Sequence, residues 1–183
     1  MPRLPVPATI EAAPELSRPL LQAVKKQLGV VPNLFRMVST SPAALEGYLS
    51  LSGALSKGTL PAPTRERIAL AVAEINGCSY CLSAHTYLGK NLAHLDDAEM
   101  AANRDGGSND RKADAAVRFA AKVTRTRGQI GEDDIRTLKA SGYDDAQLIE
   151  IVLHVALNTW TNYINLIADT AVDFPVVVAK RAA

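Results

Sequence analysis

Hydrophobic residues recur at helical spacing through most of the chain, which predicts a succession of α-helices. In residues 14–28 a leucine or valine returns at every fourth position, and Gly29 then ends the pattern. Residues 41–58 repeat leucines in a similar way, begin with Ser41 as a candidate helix cap and end at Gly58. Because each segment carries its own boundary signals, we expect two separate helices.

The middle of the chain predicts further helices. One extends from Thr64, its candidate cap, to Gly77, and the two cysteines of the chain open the next helix directly after that glycine. Polar turns then separate three shorter predicted helices, which are residues 96–103, 111–126 and 133–139.

The last predicted helix is the longest and is apolar on more than one face. Asp144 and Gln147 occupy capping-box positions at its start, and Phe174 and Pro175 end it. Only residues 175–179 suggest the alternation of a strand. The pattern therefore predicts an all-α protein.

Length, composition and charge fit one globular domain with a small or neutral partner. The 183 residues are 48% hydrophobic, and we expect residues 1–13 to form an N-terminal extension and residues 14–183 a single helical domain. The net charge is only +1 and neither sign forms a long run, which argues against binding to nucleic acid or a membrane surface. Because neither a signal peptide nor a membrane span is evident, we expect a cytoplasmic protein.

The two cysteines lie three residues apart, and a histidine follows four residues after the second. On a helix, Cys78 and Cys81 would lie about 60° apart around the axis and Cys81 and His85 about 40° apart, so all three share a face. The first turn of a helix stabilises a thiolate, and His85 is within one turn of Cys81 and can accept its proton. This arrangement favours a redox-active pair.

Other uses of a closely spaced cysteine pair fit the sequence less well. A structural zinc site needs four ligands, and beyond the pair the chain offers only His85, His94 and His154. Covalent haem attachment requires a histidine where Leu82 stands, and a thioredoxin domain would place the pair after a strand. Simple burial of the cysteines and the histidine stays open on these residues alone. We expect no metal and no cofactor.

The segment 65–85, which reads RERIALAVAEINGCSYCLSAH, resembles the core motif of the alkylhydroperoxidase D and carboxymuconolactone decarboxylase family. In that motif a glutamate stands twelve residues before the cysteine pair and a histidine four residues after it. The likeness extends to residues 31–48 and 158–165, where the chain is similar to the peroxidase-related branch. The resemblance implies an alkylhydroperoxidase D-like (AhpD-like) helical bundle.

The resemblance also implies catalytic roles for four residues of this motif, which are Glu66, Cys78, Cys81 and His85. They correspond to a thiol peroxidase relay that reduces a hydroperoxide in antioxidant defence. The family's relay is regenerated by an external dithiol or disulfide reductant, in some members a lipoyl group. Tyr80 stands where some family members carry a second histidine.

The residues themselves are consistent with such a relay. Glu66 can approach His85 only if their two helices pack antiparallel, which the short turn between them permits. Capping of its own helix is the alternative role for Glu66. A Cys81 thiolate would attack the peroxide, and Cys78 would condense with the resulting sulfenic acid to give a disulfide.

The last helix carries second-tier candidates, Trp160, Asn162 and Asn165, to which we add Tyr80. The asparagine amides would line the peroxide pocket, although buried asparagines that satisfy helix or subunit contacts are an equally good explanation. Together with Glu150, the two asparagines repeat the spacing of the glutamate and the cysteine pair, as duplicated hairpins would.

Two other functions stay open beside the peroxidase. A carboxymuconolactone decarboxylase, as the resemblance implies, shares the fold but uses no cysteine pair and needs basic groups for a dicarboxylate. A non-catalytic oligomer would sense redox state through the same disulfide. The resemblance implies a homo-oligomer, either a trimer or a hexamer built from dimers, and the widely apolar last helix is an independent reason to expect one.

Overall fold

The computed structural model describes residues 2–180, and helices dominate that part of the chain. A short 3-10 turn, Glu15–Ser17, precedes the α-helices. These are α1 (Arg18–Leu28), α2 (Asn33–Val38), α3 (Pro42–Ser56), α4 (Ala62–Ile75), α5 (Ser79–Asn91), α6 (Asp97–Arg104), α7 (Arg111–Thr126), α8 (Glu132–Ala140) and α9 (Asp145–Ala168). Residues 2–180 contain no strand, which confirms the predicted all-α class.

Several helix boundaries follow from the local signals in the sequence. The Ser41 side chain accepts a hydrogen bond from the Ala44 amide at the start of α3. Asp144 and Gln147 form the predicted capping box of α9. Gly29 ends α1 in the left-handed region, with φ of 78°. These three predictions are confirmed because each depends only on neighbouring residues.

Three features of the helices differ from the predictions. The helix α2 was not predicted, because six residues are too few to show a helical period. Thr64 does not cap α4 but lies inside it, since Pro63 fits the first turn, where no amide donor is required. Finally, α9 ends at Ala168, with Asp169 in the left-handed region, several residues before the predicted stop.

The residues after α9 form an extended segment, 170–180, that lies along α5. The Val177 amide donates to the Ser83 hydroxyl at 2.9 Å, and the Ala179 amide donates to the Ser79 hydroxyl at 3.2 Å. Because Ser79 opens α5, this segment covers the end of the helix that carries the cysteine pair. These long-range bonds hold the segment against α5.

The centre of the domain is α4, which packs against α5, α6, α7 and α9. One hydrophobic cluster joins α1, α2 and α3 to the cysteine end of α5, and a second lies between α4, α7 and α9. Before α1, Val6 and Ile10 pack against the first cluster and Ala13 is buried in it, while most other residues of this segment are exposed. Among residues 2–180, no helix has both the length and the hydropathy needed to cross a membrane.

Candidate active site

The turn between α4 and α5 brings the predicted site residues together. Gly77 takes φ of 72°, a conformation that favours glycine, and the chain reverses there. The two helices then pack side by side. As a result Glu66, in the first half of α4, meets His85 in the middle of α5.

The two cysteines lie at the N-terminal end of α5. Cys78 is the N-cap residue, and its sulfur accepts a hydrogen bond from the Cys81 amide at 3.2 Å. Both thiols are free, and both side chains are almost fully buried. The amides at a helix N-terminus stabilise negative charge, so this position favours ionisation of a thiol.

Glu66 and His85 form a hydrogen-bonded pair beside the cysteines. The Glu66 Oε2 atom lies 2.8 Å from His85 Nδ1, and each side chain is 22% exposed. Burial acts to lower the pKa of His85, but the Glu66 carboxylate and Cys81 outweigh it and raise the pKa above its usual value. No side chain caps α4, so Glu66 serves the histidine rather than its own helix.

The Cys81 sulfur is surrounded by groups that stabilise a thiolate. Asn165 Nδ2 donates to the sulfur at 3.4 Å, and the Asn162 amide also faces it. Burial acts to raise the pKa of Cys81, but the hydrogen bond from Cys78, the charge of His85 and the two amides lower it to about 7. Near neutral pH a large fraction of Cys81 is therefore ionised.

Cys78 has the opposite tendency. Its hydrogen bond to Cys81, its burial and the negative charge on Cys81 all raise the pKa of Cys78 well above the usual range. These directions favour ionisation of Cys81 over ionisation of Cys78.

The two asparagines of α9 are held in defined orientations. Asn162 Oδ1 accepts a hydrogen bond from Asn76 Nδ2 at 2.9 Å, which leaves Asn162 Nδ2 as the end that faces the sulfur. That nitrogen is buried and has no hydrogen-bond partner of ordinary geometry within the described residues. Asn165 Nδ2 also donates to the Thr161 carbonyl at 2.9 Å. The Asn162 amide nitrogen therefore faces the Cys81 sulfur and no competing acceptor among the described residues.

The other two second-tier residues lie at the edge of this arrangement. The Tyr80 hydroxyl accepts from the Leu34 amide at 3.0 Å and its ring lies 5.9 Å from that of Phe174, so it joins α2 to the C-terminal segment. Trp160 lies against the ring of Tyr48, with the ring centroids 5.4 Å apart, and is 37% exposed. The structure therefore brings together the glutamate, the histidine, both cysteines and both asparagines, with the tyrosine and the tryptophan around them.

One residue near the site, Tyr48 of α3, is missing from the sequence-based candidates. It packs against the hydrophobic cluster that contains both cysteines. Burial, and then the charges of Cys81 and Glu66, raise the pKa of Tyr48, so its hydroxyl stays protonated. The spacing of the motif gives no signal for Tyr48, because Tyr48 lies on a separate helix. In the sequence it is notable only as the last residue of segment 31–48.

Within residues 2–180, no group of three or more His, Cys, Asp or Glu side chains is arranged to hold an ion. His154 is buried in α9, where burial and the charge of Arg65 lower its pKa to about 4.

Comparisons with known proteins agree with this architecture. Residues 42–126 match the sequence model of the carboxymuconolactone decarboxylase family. That segment extends from the start of α3 to the end of α7 and contains the glutamate, both cysteines and the histidine. No curated protein matches the sequence.

Solved structures resemble the chain over nearly its whole length. A peroxidase-related protein of Ralstonia eutropha JMP134, an alkylhydroperoxidase AhpD core, has a TM-score of 0.83 at 25% identity, over 94% of this chain and 92% of that one. A peroxidase-related protein of Silicibacter sp. TM1040 has a TM-score of 0.79 at 24% identity, over 93% of each chain. The debrominase Bmp8, as a variant bound to 2,3,4-tribromopyrrole, has a TM-score of 0.77 at 20% identity, over 94% of this chain and 93% of that one.

Proposed function

Because this chain carries a domain of the carboxymuconolactone decarboxylase family within an AhpD-like fold, we propose that it is a thiol-dependent peroxidase. The observation that carries the proposal is the placement of two free thiols at the N-terminal end of α5. The Cys81 sulfur accepts a hydrogen bond from Asn165, and the charge of His85, which pairs with Glu66, acts on it. These surroundings lower the pKa of Cys81, whereas those of Cys78 raise its pKa. A nucleophilic thiolate beside a protonated thiol is what a peroxide-reducing dithiol requires.

The first step is attack of the Cys81 thiolate on the terminal oxygen of the peroxide. A sulfur–oxygen bond forms, the O–O bond breaks, and Cys81 becomes a sulfenic acid while an alkoxide or hydroxide leaves. The raised pKa of His85 supports its role as the proton donor that turns this leaving group into an alcohol or water. The amides of Asn162 and Asn165 hold the sulfur in place.

The second step closes the disulfide. The Cys78 sulfur attacks the sulfenic sulfur of Cys81, the hydroxyl leaves, and with the Cys78 proton it becomes water. An external dithiol then reduces the disulfide by thiol–disulfide exchange, supplying two electrons and two protons. A lipoyl-linked dithiol or a disulfide reductase in the cytoplasm fits this role as a partner.

Steady-state turnover tests the proposal. Micromolar protein with excess dihydrolipoamide should consume hydrogen peroxide or cumene hydroperoxide over many turnovers, with one dihydrolipoamide oxidised to lipoamide per peroxide reduced. Oxidation of the two thiols only once, without turnover, would instead make the protein a redox sensor. Release of carbon dioxide from carboxymuconolactone, without any thiol oxidation, would contradict the peroxidase and support the decarboxylase.

We further propose a homo-oligomer, a trimer or a hexamer built from dimers. Its support is an exposed apolar face of α9, a kind of surface that soluble monomers seldom leave open. The face consists of Ile149, Val152, Leu153, Tyr163 and Ile167. Light scattering at micromolar concentration should give a mass of several chains, and a mass near 19.5 kDa would contradict the oligomer.

A further inference from the structure

The C-terminal segment is bonded to the turn between α4 and α5 on both sides of Cys78. The Lys180 amide donates to Glu74 Oε1 at 2.6 Å before this cysteine, and the Ala179 amide donates to the Ser79 hydroxyl at 3.2 Å directly after it. Ala179 is also buried in the hydrophobic cluster that contains both cysteines. The segment therefore lies against the part of the chain that carries Cys78.

The rest of the segment is held by surface contacts more than by deep burial. The Val177 amide donates to the Ser83 hydroxyl at 2.9 Å, and the Phe174 ring lies 5.9 Å from the ring of Tyr80, which stands between the two cysteines. More than half of the side chains in residues 170–180 are exposed, whereas the helices around the cysteines contribute to the two hydrophobic clusters. Such a segment opens at a lower free-energy cost than a core helix.

The reductive half of the proposed cycle requires access to a buried sulfur. Cys78 and Cys81 are only 1% and 3% exposed. In thiol–disulfide exchange one sulfur is attacked and the other leaves as a thiolate, and the sulfur of lower pKa leaves faster. The Cys81 sulfur accepts a hydrogen bond from Asn165, and its surroundings lower its pKa. We therefore expect an external dithiol to attack Cys78.

From this arrangement we infer that the C-terminal segment gates the disulfide, and that it must open from the α4–α5 turn before an external dithiol reaches Cys78. The inference rests on the proposed dithiol cycle and regulates its reductive step. In that step the incoming thiolate bonds to the Cys78 sulfur, the Cys78–Cys81 bond breaks, and its electron pair stays on Cys81. The second thiol of the donor then closes the donor's own disulfide and releases Cys78. The two protons of the dithiol pass to Cys78 and His85.

Two neighbouring valines provide a matched pair of variants. Val177 packs against the cluster that contains the cysteines, whereas Val178 is 67% exposed, and alanine removes the same two methyl groups at either position. Val177→Ala should therefore loosen the segment, and Val178→Ala should not. Ser83→Ala loosens the same contact from the side of α5, because it removes the acceptor of the Val177 amide.

The rate at which the disulfide is reduced measures the opening. Each protein is oxidised with diamide, which forms the disulfide without any peroxide, and is then mixed with excess dithiothreitol while free thiols are counted over time. Val177→Ala and Ser83→Ala should be reduced about 5-fold faster than the wild type, and Val178→Ala at the wild-type rate. Hydrogen exchange of the Ala179 amide in the oxidised protein should quicken in the same proportion.

The attacked sulfur is identified with a monothiol. Oxidised protein is mixed with 2-mercaptoethanol, and iodoacetamide then traps the mixed disulfide, so that fragmentation of the peptide separates the two cysteines. The mercaptoethanol should be found on Cys78 and the alkyl group on Cys81. The reverse distribution would contradict the inference.

The outcomes separate this inference from the peroxidase proposal. Diamide acts whether or not the protein reduces peroxides, so faster reduction of Val177→Ala and Ser83→Ala supports the gate even if no peroxide is turned over. Equal rates in all four proteins would overturn the gate while leaving peroxide turnover untouched. An equal gain for Val178→Ala would also overturn it, because that variant leaves the buried contact intact. Failure of diamide to form the disulfide would contradict both proposals.

Discussion

Two carboxylates, the half-buried Glu66 and the buried Glu99, form short ion pairs in very different surroundings. Glu66 pairs with His85 at 2.8 Å, and Glu99 pairs with Arg67 at 2.6 Å. Among residues 2–180, the Glu66 carboxylate has the histidine as its only hydrogen-bond partner. The Glu99 carboxylate instead accepts hydrogen bonds from Arg67, Asn103, Ser108 and the Asn109 amide.

The difference in partners is a difference in what each carboxylate can do. Burial acts to raise the pKa of Glu99, but its four donors outweigh it and hold the pKa at about 2. Glu99 is therefore a permanent anion that joins α4 and α6 to the loop after α6. Glu66 faces a group that itself titrates, so the charge of the pair can change during a reaction. The Glu99 carboxylate is held by four donors, whereas the Glu66 carboxylate is held only by His85 among residues 2–180, a group whose charge can change.

The largest effect is expected from removal of the Cys81 sulfur, which lies beside the Glu66–His85 pair. Cys81→Ser should lower peroxide turnover by about 10³-fold or more, because a serine hydroxyl does not ionise near neutral pH. The midpoint of thermal unfolding should hardly change, since Ser is close to Cys in size. Cys78→Ser is the control: it should react with one equivalent of peroxide and stall as a sulfenic acid. A sulfenic acid trapped on Cys78 in active Cys81→Ser protein would reverse the assignment.

Removal of the Glu66 charge should affect activity far more than stability. Glu66→Gln keeps the size of the side chain but lowers the pKa of His85, because the carboxylate is what raises it. With less positive charge beside it, Cys81 should ionise at higher pH, and kcat/KM at pH 7 should fall by about 10². Alkylation of Cys81 by iodoacetamide as a function of pH measures the shift. An unchanged Cys81 profile together with full activity would show that Glu66 is only structural.

Removal of the Glu99 charge should have the reverse effect. Glu99→Gln breaks a buried ion pair and should cost about 3 kcal/mol in the free energy of unfolding, while folded protein keeps its turnover. Because the folded pKa of about 2 lies below the usual value of 4.5, the wild type holds this stability above pH 4.5 and loses it as the pH falls toward 2. Urea unfolding at pH 7 and pH 3 should show a smaller loss in the variant. Equal pH dependence in both proteins would contradict this assignment.

The sequence predicts the contacts within one helical hairpin better than the contacts between distant helices, because the residues of a hairpin lie close together along the chain. Glu66, Cys78, Cys81 and His85 lie on one helical hairpin, so their spacing and the turn at Gly77 suffice to bring them together. Tyr48 and the bonds of the C-terminal segment depend on how distant helices pack. No local signal encodes those contacts, which is why Tyr48 and the end of α9 were missed.

A matching spacing does not guarantee a matching structure. Glu150, Asn162 and Asn165 repeat the spacing of the reactive hairpin, but α9 continues without a turn. Twelve residues of unbroken helix span about 18 Å, so Glu150 lies far along the axis from the asparagines. Its carboxylate instead accepts hydrogen bonds from the Thr59 and Leu60 amides before α4. The two asparagines reach Cys81 through helix packing.

The smallest effect expected is that of a single amide at the Cys81 sulfur, and α9 offers a matched control for it. Asn158 and Asn165 each donate to the carbonyl four residues earlier, at 2.8 and 2.9 Å, but only Asn165 also donates to the Cys81 sulfur. Asn165→Ala and Asn158→Ala should therefore lose similar helix contacts. Only Asn165→Ala should raise the pKa of Cys81, and its alkylation at pH 6 should slow by about 3-fold. Equal alkylation rates in the two variants would show that the amide does not stabilise the thiolate.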